Sequence, residues 1–342
     1  MSWEITGHEW AEQLLRQHIV AGKVRHAYLF LGPAGAGKRT LALRLAQALS
    51  CTAPPAPGSY CGACRACLGV PRQRHTDLHC ITREEDRSQV RVEQIRELQR
   101  QLILAPLESR CRIALLTDFE QASEEAQNAL LKTLEEPSSQ VVLLLTAESG
   151  DQLLPTIVSR CEVLWLKPVP TEVIRASLLG QGLVPDQADL LASLAGGRPG
   201  QAFALVEDGE RLAQRQAFLD DLRLQLGESA IARFEYAADR LSPKRDEPLS
   251  VRRRRAGEML ECWQGLWRDA LLASHQARVP LVNVDSVELV EEICQACTPG
   301  EIADCVLAIG RTADAIERNV DPVLALEALM LDLPRLRPST TD

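Results

Sequence analysis

The sequence lacks any apolar stretch that could span a bilayer. Its longest, VVLLLTA at 141–147, falls far short of the roughly 20 residues a membrane helix needs. The opening MSWEITGHEWAEQ has no apolar core of the signal-peptide kind, so a cytoplasmic location and no membrane partner are expected. Aromatic residues are scarce at 4%, and basic charge is in deficit: 38 Lys and Arg against 47 Asp and Glu, a net charge of −9. A chain that grips nucleic acid alone is usually basic, with aromatics among the cations. Work on DNA is therefore expected only inside an assembly, through a local basic surface. There is no internal repeat and no long low-complexity tract.

Cysteine is not scarce: there are 11. In a secreted chain that number would suggest disulfides; in a cytosolic one it suggests metal binding or burial. The 342 residues allow two or three domains, and 46% hydrophobic with 25% charged residues is ordinary globular composition.

Near-continuous apolar runs without alternation mark strands of a parallel sheet covered on both faces: 27–32, 112–118, 141–147 and 162–166, with a weaker one at 77–82. Between them lie helical patterns. VRVEQIRELQRQL at 90–102 puts Val92, Ile95, Leu98 and Leu102 on one stripe. Ser123 can cap a helix whose first turn carries Glu124 and Glu125 and which Pro137 stops. Strands alternating with helices predict an α/β domain over 1–166. No strand signal follows KPVP at 167–170. A small helical lid over 167–207, broken at AGGRPGQA, and an all-α domain over 208–342 are expected.

Gly32-Pro33-Ala34-Gly35-Ala36-Gly37-Lys38 follows a strand and opens a helix. Such a loop turns its N–H groups into an anion nest, the helix adds its positive end, and the lysine reaches the outer phosphates. A glycine-containing structural turn would not call for the lysine. The hydroxyl that normally ligates Mg²⁺ follows the lysine directly; here Arg39 stands there and Thr40 comes one place late. Phosphate binding is expected to survive, and metal-assisted hydrolysis is not. Asp118, at the carboxyl end of a strand, is placed to hold Mg²⁺ or simply to end the strand. The next position, a water-orienting glutamate in motor ATPases of this class, is Phe119; Glu120 comes one step on, which on a strand is the other face.

Cys51, Cys61, Cys64 and Cys67, spaced C-x9-C-x2-C-x2-C among prolines and glycines, read as a loop module of about 51–67 holding a structural zinc with no open position. His75 and His79 lie near but are not needed. Cys294 and Cys297 form a C-x-x-C on an amphipathic helix and are expected to be core, as are the isolated Cys80, Cys111, Cys262 and Cys305. Arg160, in Ser159-Arg160-Cys161, is either a solvated side chain or an arginine that stabilises charge on a neighbour's phosphate. The run Arg252 to Arg255 is expected to be a solvated face, with contact to DNA phosphates or an acidic partner as the alternative.

Together these pieces resemble the bacterial DNA polymerase III clamp-loader subunits of the AAA+ class, and among them the delta-prime branch. The residues that carry the resemblance are ITGHEWAEQLL at 5–15, RHAYLFLGPAGAGK at 25–38, the cysteine module, NALLKTLEEP at 128–137, LLPTIVSRC at 153–161 and ERNVDPVLALEALML at 317–331. The resemblance spans nearly the whole chain; 205–290 is its least distinctive stretch. It implies an AAA+ P-loop domain with an inserted zinc module, a helical lid, and a helical collar that oligomerises. It also implies a hetero-pentamer with gamma/tau and delta subunits, which uses ATP to place a sliding clamp on primed DNA. Arg160 would be the arginine finger acting in trans, and Thr146 falls near the sensor-1 position. Motor subunits carry a sensor arginine where this chain has Gly200, with Arg198 two residues early. Arg39, Phe119 and Gly200 together favour a stator-like subunit that binds ATP or ADP at most and has no independent activity. The alternative within the family is the hydrolysing motor subunit. A metabolic P-loop kinase leaves the cysteine module and helical third unexplained, and acidity argues against a lone zinc-dependent DNA-binding protein.

Overall fold

The computed structural model describes residues 3–83, 89–138, 140–243 and 247–336. They form two compact units, one of the residues up to 182 together with 197–201, the other of 183–196 and the chain from 202 onward.

The first unit runs α1 (Glu9–Val20), β1 (Ala27–Leu31), α2 (Lys38–Ser50), α3 (Arg65–Gly69), β2 (Leu78–Ile81), α4 (Val92–Leu102), β3 (Arg112–Leu116), α5 (Glu124–Glu135), β4 (Val141–Ala147), α6 (Pro155–Val158), β5 (Glu162–Trp165) and α7 (Thr171–Gly180). Its strands fall on the five expected segments and make one parallel sheet in the order β2-β3-β4-β1-β5. The alternation hidden in the apolar runs appears once the faces are separated. Ala27, Leu29 and Leu31 of β1 pack with Ile95, Leu98, Leu130 and Leu134 of α4 and α5. Tyr28 and Phe30 pack on the other face with Leu15, Leu41 and Leu45 of α1 and α2. Both faces of β1 are dry, so both its parities must be apolar. β3 stops at Leu116, two residues short of the expected end. Asp118 takes a left-handed backbone, φ 50°, and Phe119–Gln121 form a tight 3-10 turn.

Past Trp165 every regular element among the described residues is helical: after α7 come α8 (Pro185–Leu194), α9 (Pro199–Glu207), α10 (Gly209–Gly227), α11 (Ala230–Leu241), α12 (Leu249–Ser274), α13 (Val287–Ala296), α14 (Pro299–Glu317) and α15 (Pro322–Asp332). None of them is long and apolar enough to cross a membrane. In the second unit α12 carries the fully buried Trp263 and Trp267, and the Trp263 indole donates to the Phe218 carbonyl at 2.7 Å. Cys297 and Cys305 are buried in this core, with Cys262 and Cys294 packed against it. Cys111 is buried and Cys80 half-buried in the first unit.

The arginine run is not the solvated face expected of it. It lies on α12, Arg252 is buried, donating to Leu241 O at 2.8 Å and paired with Asp321, and Arg255 pairs with Glu247 at 2.9 Å. Only Arg254 of the four is exposed. A second buried arginine, Arg233 of α11, closes two helix ends. Its guanidinium donates to the carbonyls of Gln225 and Leu226 at the end of α10, and of Met330, Leu333 and Pro334 at the end of α15, at 2.7–3.3 Å. Helix C-termini leave carbonyls without intrahelical partners, and this side chain supplies them. Arg233→Met keeps the stem and strips the donors. It is expected to cost about 3 kcal/mol or more, read as a lower urea midpoint, whereas Arg254→Ala should stay within about 0.5 kcal/mol.

Candidate functional site

The carboxyl ends of β1, β3 and β4 bring the phosphate-loop residues, Asp118 and Thr146 to one edge of the sheet. The loop is built on left-handed glycines: Gly32, Gly35 and Gly37 have φ of 147°, 78° and 98°. A Cβ on Gly32 would lie 2.3 Å from the Leu166 carbonyl oxygen, so only glycine passes there. Two of the loop's carbonyls are held by groups from elsewhere in the chain. Gly35 O accepts from the Gly200 N–H at 2.8 Å, and Ala36 O is 3.0 Å from His8 Nε2. His8 is buried, and burial lowers its pKa against the pull of that carbonyl; the neutral ring with hydrogen on Nε2 suits the contact. The N–H groups in the first turn of α2, from Lys38 through Arg39 to Thr40, have no intrahelical acceptor and form the positive helix end. The Lys38 ammonium is buried and donates to Gly32 O at 2.6 Å and Pro33 O at 3.2 Å. Pro33 and Ala34 form the outer bend, closed by Ala36 N–H to Pro33 O at 3.1 Å.

Thr146, 1% exposed, lies opposite Phe30 in the β1–β4 register, and its hydroxyl accepts from the Asp118 N–H at 2.9 Å. No spacing pattern signals this bond, which fixes the turn after β3 against β4. Asp118 itself is exposed. Phe119 is fully buried with Leu116 and Leu145. Because β3 has already ended, strand parity does not apply to Glu120. That side chain is half-buried with Oε2 unpartnered. Burial, then the charges of Asp118 and Glu148, raise its carboxyl pKa against the backbone N–H groups that lower it. At Gly200 an added Cβ would lie 2.9 Å from Gly35 O, so the first turn of α9 sits directly on the phosphate loop.

The four predicted cysteines converge. Their Sγ atoms all lie within 4.8 Å of one another, with Cys61–Cys67 at 3.9 Å and Cys51–Cys64 at 4.0 Å. Four thiolates about 2.3 Å from one tetrahedral zinc stand roughly 3.8 Å apart, so the set fits. Backbone N–H groups point at the sulfurs: Cys61 N to Cys51 Sγ at 3.3 Å, Cys64 N to Cys61 Sγ at 3.2 Å and Cys67 N to Cys64 Sγ at 3.5 Å. Burial pushes the Cys64 thiol up, but the N–H groups of Cys67 and Thr52 outweigh it and bring the pKa to about 6. The module is tied to the domain by Gln47 Nε2 donating to Cys67 O at 2.8 Å and by the Trp3 indole donating to Gly58 O at 3.1 Å. Neither histidine joins it. His75 accepts from the Asp77 N–H, and His79 Nε2 meets Arg112 Nη1 at 2.9 Å.

Arg160 lies just past α6, away from this chain's own phosphate loop in sequence and among solvent-facing groups. Its side chain is 36% exposed; Nη1 donates to Thr156 O at 3.0 Å and Nη2 to Glu135 Oε1 at 2.9 Å.

The profile of a family described as DNA polymerase III, delta subunit, matches residues 7–170. The DNA polymerase III delta-prime subunit of Pseudomonas aeruginosa is 37% identical over 210 residues, 60% of this chain and 63% of that protein. That of Bacillus subtilis is 28% identical over 322 residues, 94% of each. The tau subunit of Escherichia coli is 31% identical over 250 residues, 66% of this chain and 38% of its own length. The match thus spans under two thirds of the Pseudomonas relative and nearly all of the Bacillus one. A DNA polymerase III gamma subunit-related protein from Thermotoga maritima aligns over 96% of this chain and 100% of its own, with a TM-score of 0.45 and 17% identity, too loose a likeness to bear weight.

The cysteine geometry carries a direct test. The purified chain should hold about one equivalent of zinc by atomic absorption, and Cys64→Ser should lose most of it and lower the melting temperature. Full metal content in that variant would contradict a four-thiolate site.

Proposed function

We propose a function from one premise: the chain belongs to the DNA polymerase III delta-prime subunit family. It works as the stator-like subunit of the clamp loader, assembled with gamma/tau and delta subunits in a hetero-pentamer in the cytoplasm. In that assembly it helps place the sliding clamp on primed DNA during replication. Its division into an AAA+ domain over 1–166, a lid over 167–207 and a collar over 208–342 is part of this reading, as is zinc in the cysteine module.

The observation that carries the proposal is the contrast between the chain's two phosphate-related features. At its own loop the three positions that matter for hydrolysis are altered: Arg39 replaces the metal-binding hydroxyl, Phe119 is packed into the core, and Gly200 abuts Gly35. Residues 32–40 with Asp118 and Thr146 keep the form of a nucleotide cradle, so ATP or ADP is its ligand, held without productive Mg²⁺ chemistry. A buried phenylalanine cannot be exchanged for a water-orienting glutamate without burying a charge. Arg160, by contrast, stands partly exposed in the turn after a short helix, where a guanidinium can reach a neighbour's ATP and stabilise the charge that develops during phosphoryl transfer. The similarity to tau subunits supports one alternative, an ATP-hydrolysing gamma/tau-type motor.

Alone with ATP and Mg²⁺, the chain should show no turnover above background. On gel filtration it should co-elute with gamma/tau and delta subunits, and clamp- and DNA-stimulated ATPase should require its presence. Turnover by the isolated chain at the rate of the assembled loader, roughly 1–100 s⁻¹ on the scale of phosphoryl-transfer enzymes, would favour the motor or a standalone enzyme.

A further inference from the structure

We infer that Glu135 is a positioning residue for Arg160, holding its guanidinium in the orientation from which it meets the neighbouring subunit's phosphate; this rests on the arginine-donor reading above. The two residues are 25 apart in sequence and come from different elements, Glu135 from the last turn of α5 and Arg160 from the turn after α6. Their pairing is therefore a product of the fold and not of helical spacing.

The frame that holds them is rigid. Gln127 of α5 is buried; its Oε1 accepts from the Leu154 N–H at 2.9 Å and its Nε2 donates to Ala122 O at 3.3 Å. Leu130 and Leu134 of α5 share a core with Leu153 and Ile157, on and beside α6. The turn bearing Arg160 is closed by its own N–H to Ile157 O at 3.1 Å. Both side chains thus stand on a fixed base, and only their own torsions are free.

An arginine has five N–H donors in a planar fork. Thr156 O engages one on Nη1 and Glu135 one on Nη2, which leaves three for a phosphate. Glu135 stands behind the fork and takes up the torsional freedom that a long, exposed side chain would otherwise lose on meeting its target. The side chains are 36% and 51% exposed, and an ion pair so open to water contributes little to folding. Its value lies in orientation, and pre-organisation of a group that stabilises transition-state charge appears in turnover.

The test uses the reconstituted loader with variants in this chain, reading DNA- and clamp-stimulated ATPase. Glu135→Ala is expected to lower kcat about 3- to 10-fold with KM for ATP unchanged and the chain's melting temperature and assembly unaltered. Glu135→Gln, which keeps an acceptor for Nη2, should restore kcat to within about 2-fold of wild type. Arg160→Ala should cause the larger loss, and adding Glu135→Ala to it should change nothing further, since the two act as a unit. If Arg160→Ala is deficient while Glu135→Ala keeps wild-type kcat, or if the two losses multiply, Glu135 does not position the arginine. If Arg160→Ala itself leaves turnover intact, the arginine-donor reading fails first and the role of Glu135 falls with it.

Discussion

Everything at the phosphate edge depends on β1 being buried on both faces between β4 and β5. A parallel ladder holds its strands in fixed register, and their carboxyl ends open onto the same side. Phe30 opposite Thr146 and Leu31 opposite Trp165 set where the phosphate loop leaves the sheet. From there the hydroxyl of Thr146 reaches the turn after β3, and α2 starts at Lys38. Loosening the apolar contacts of β1 would move all of these together.

The same packing explains why the proposed loss of hydrolysis is not a matter of one side chain. Phe119 belongs to the core between the sheet and α5, and Gly200 is the only residue type that fits against Gly35 O at that distance. Each is held by its surroundings, so restoring a glutamate or an arginine there would require repacking. Arg39 is the exception, an exposed residue in the first turn of α2. Arg160 lies in the firmly braced turn after α6 and is partly exposed, as the proposed service to another subunit would require.

Much of this was legible in the sequence because it rests on local rules. Apolar runs without alternation marked the central strands β1, β3 and β4, which are buried on both faces and leave no polar parity; the edge strands are less covered, and the segment at 77–82 was correspondingly the weaker signal. Glycines before a lysine marked the loop, and C-x2-C spacing marked a module whose N–H groups aim at sulfur. What was not legible depends on long-range meetings. Nothing in the spacing of Glu135 and Arg160, of Thr146 and Asp118, or of Gly200 and Gly35 announces contact. The arginine run misled because a block of like charges is read by composition, whereas Arg252 is drawn inward by a helix-end carbonyl and Asp321. The strand at 112–118 ended early because Asp118 turns left-handed, which also undid the expected placement of Glu120.

The division of labour between the two phosphate-related features is tested most directly by single-turnover ATP hydrolysis in the assembled loader, comparing Lys38→Ala with Arg160→Ala in this chain. A stator predicts that Arg160→Ala slows hydrolysis on the order of 10³-fold at the site it serves while Lys38→Ala leaves the rate near wild type. The larger loss in Lys38→Ala would mean that this chain's own phosphate loop is catalytically active, and that it is a motor.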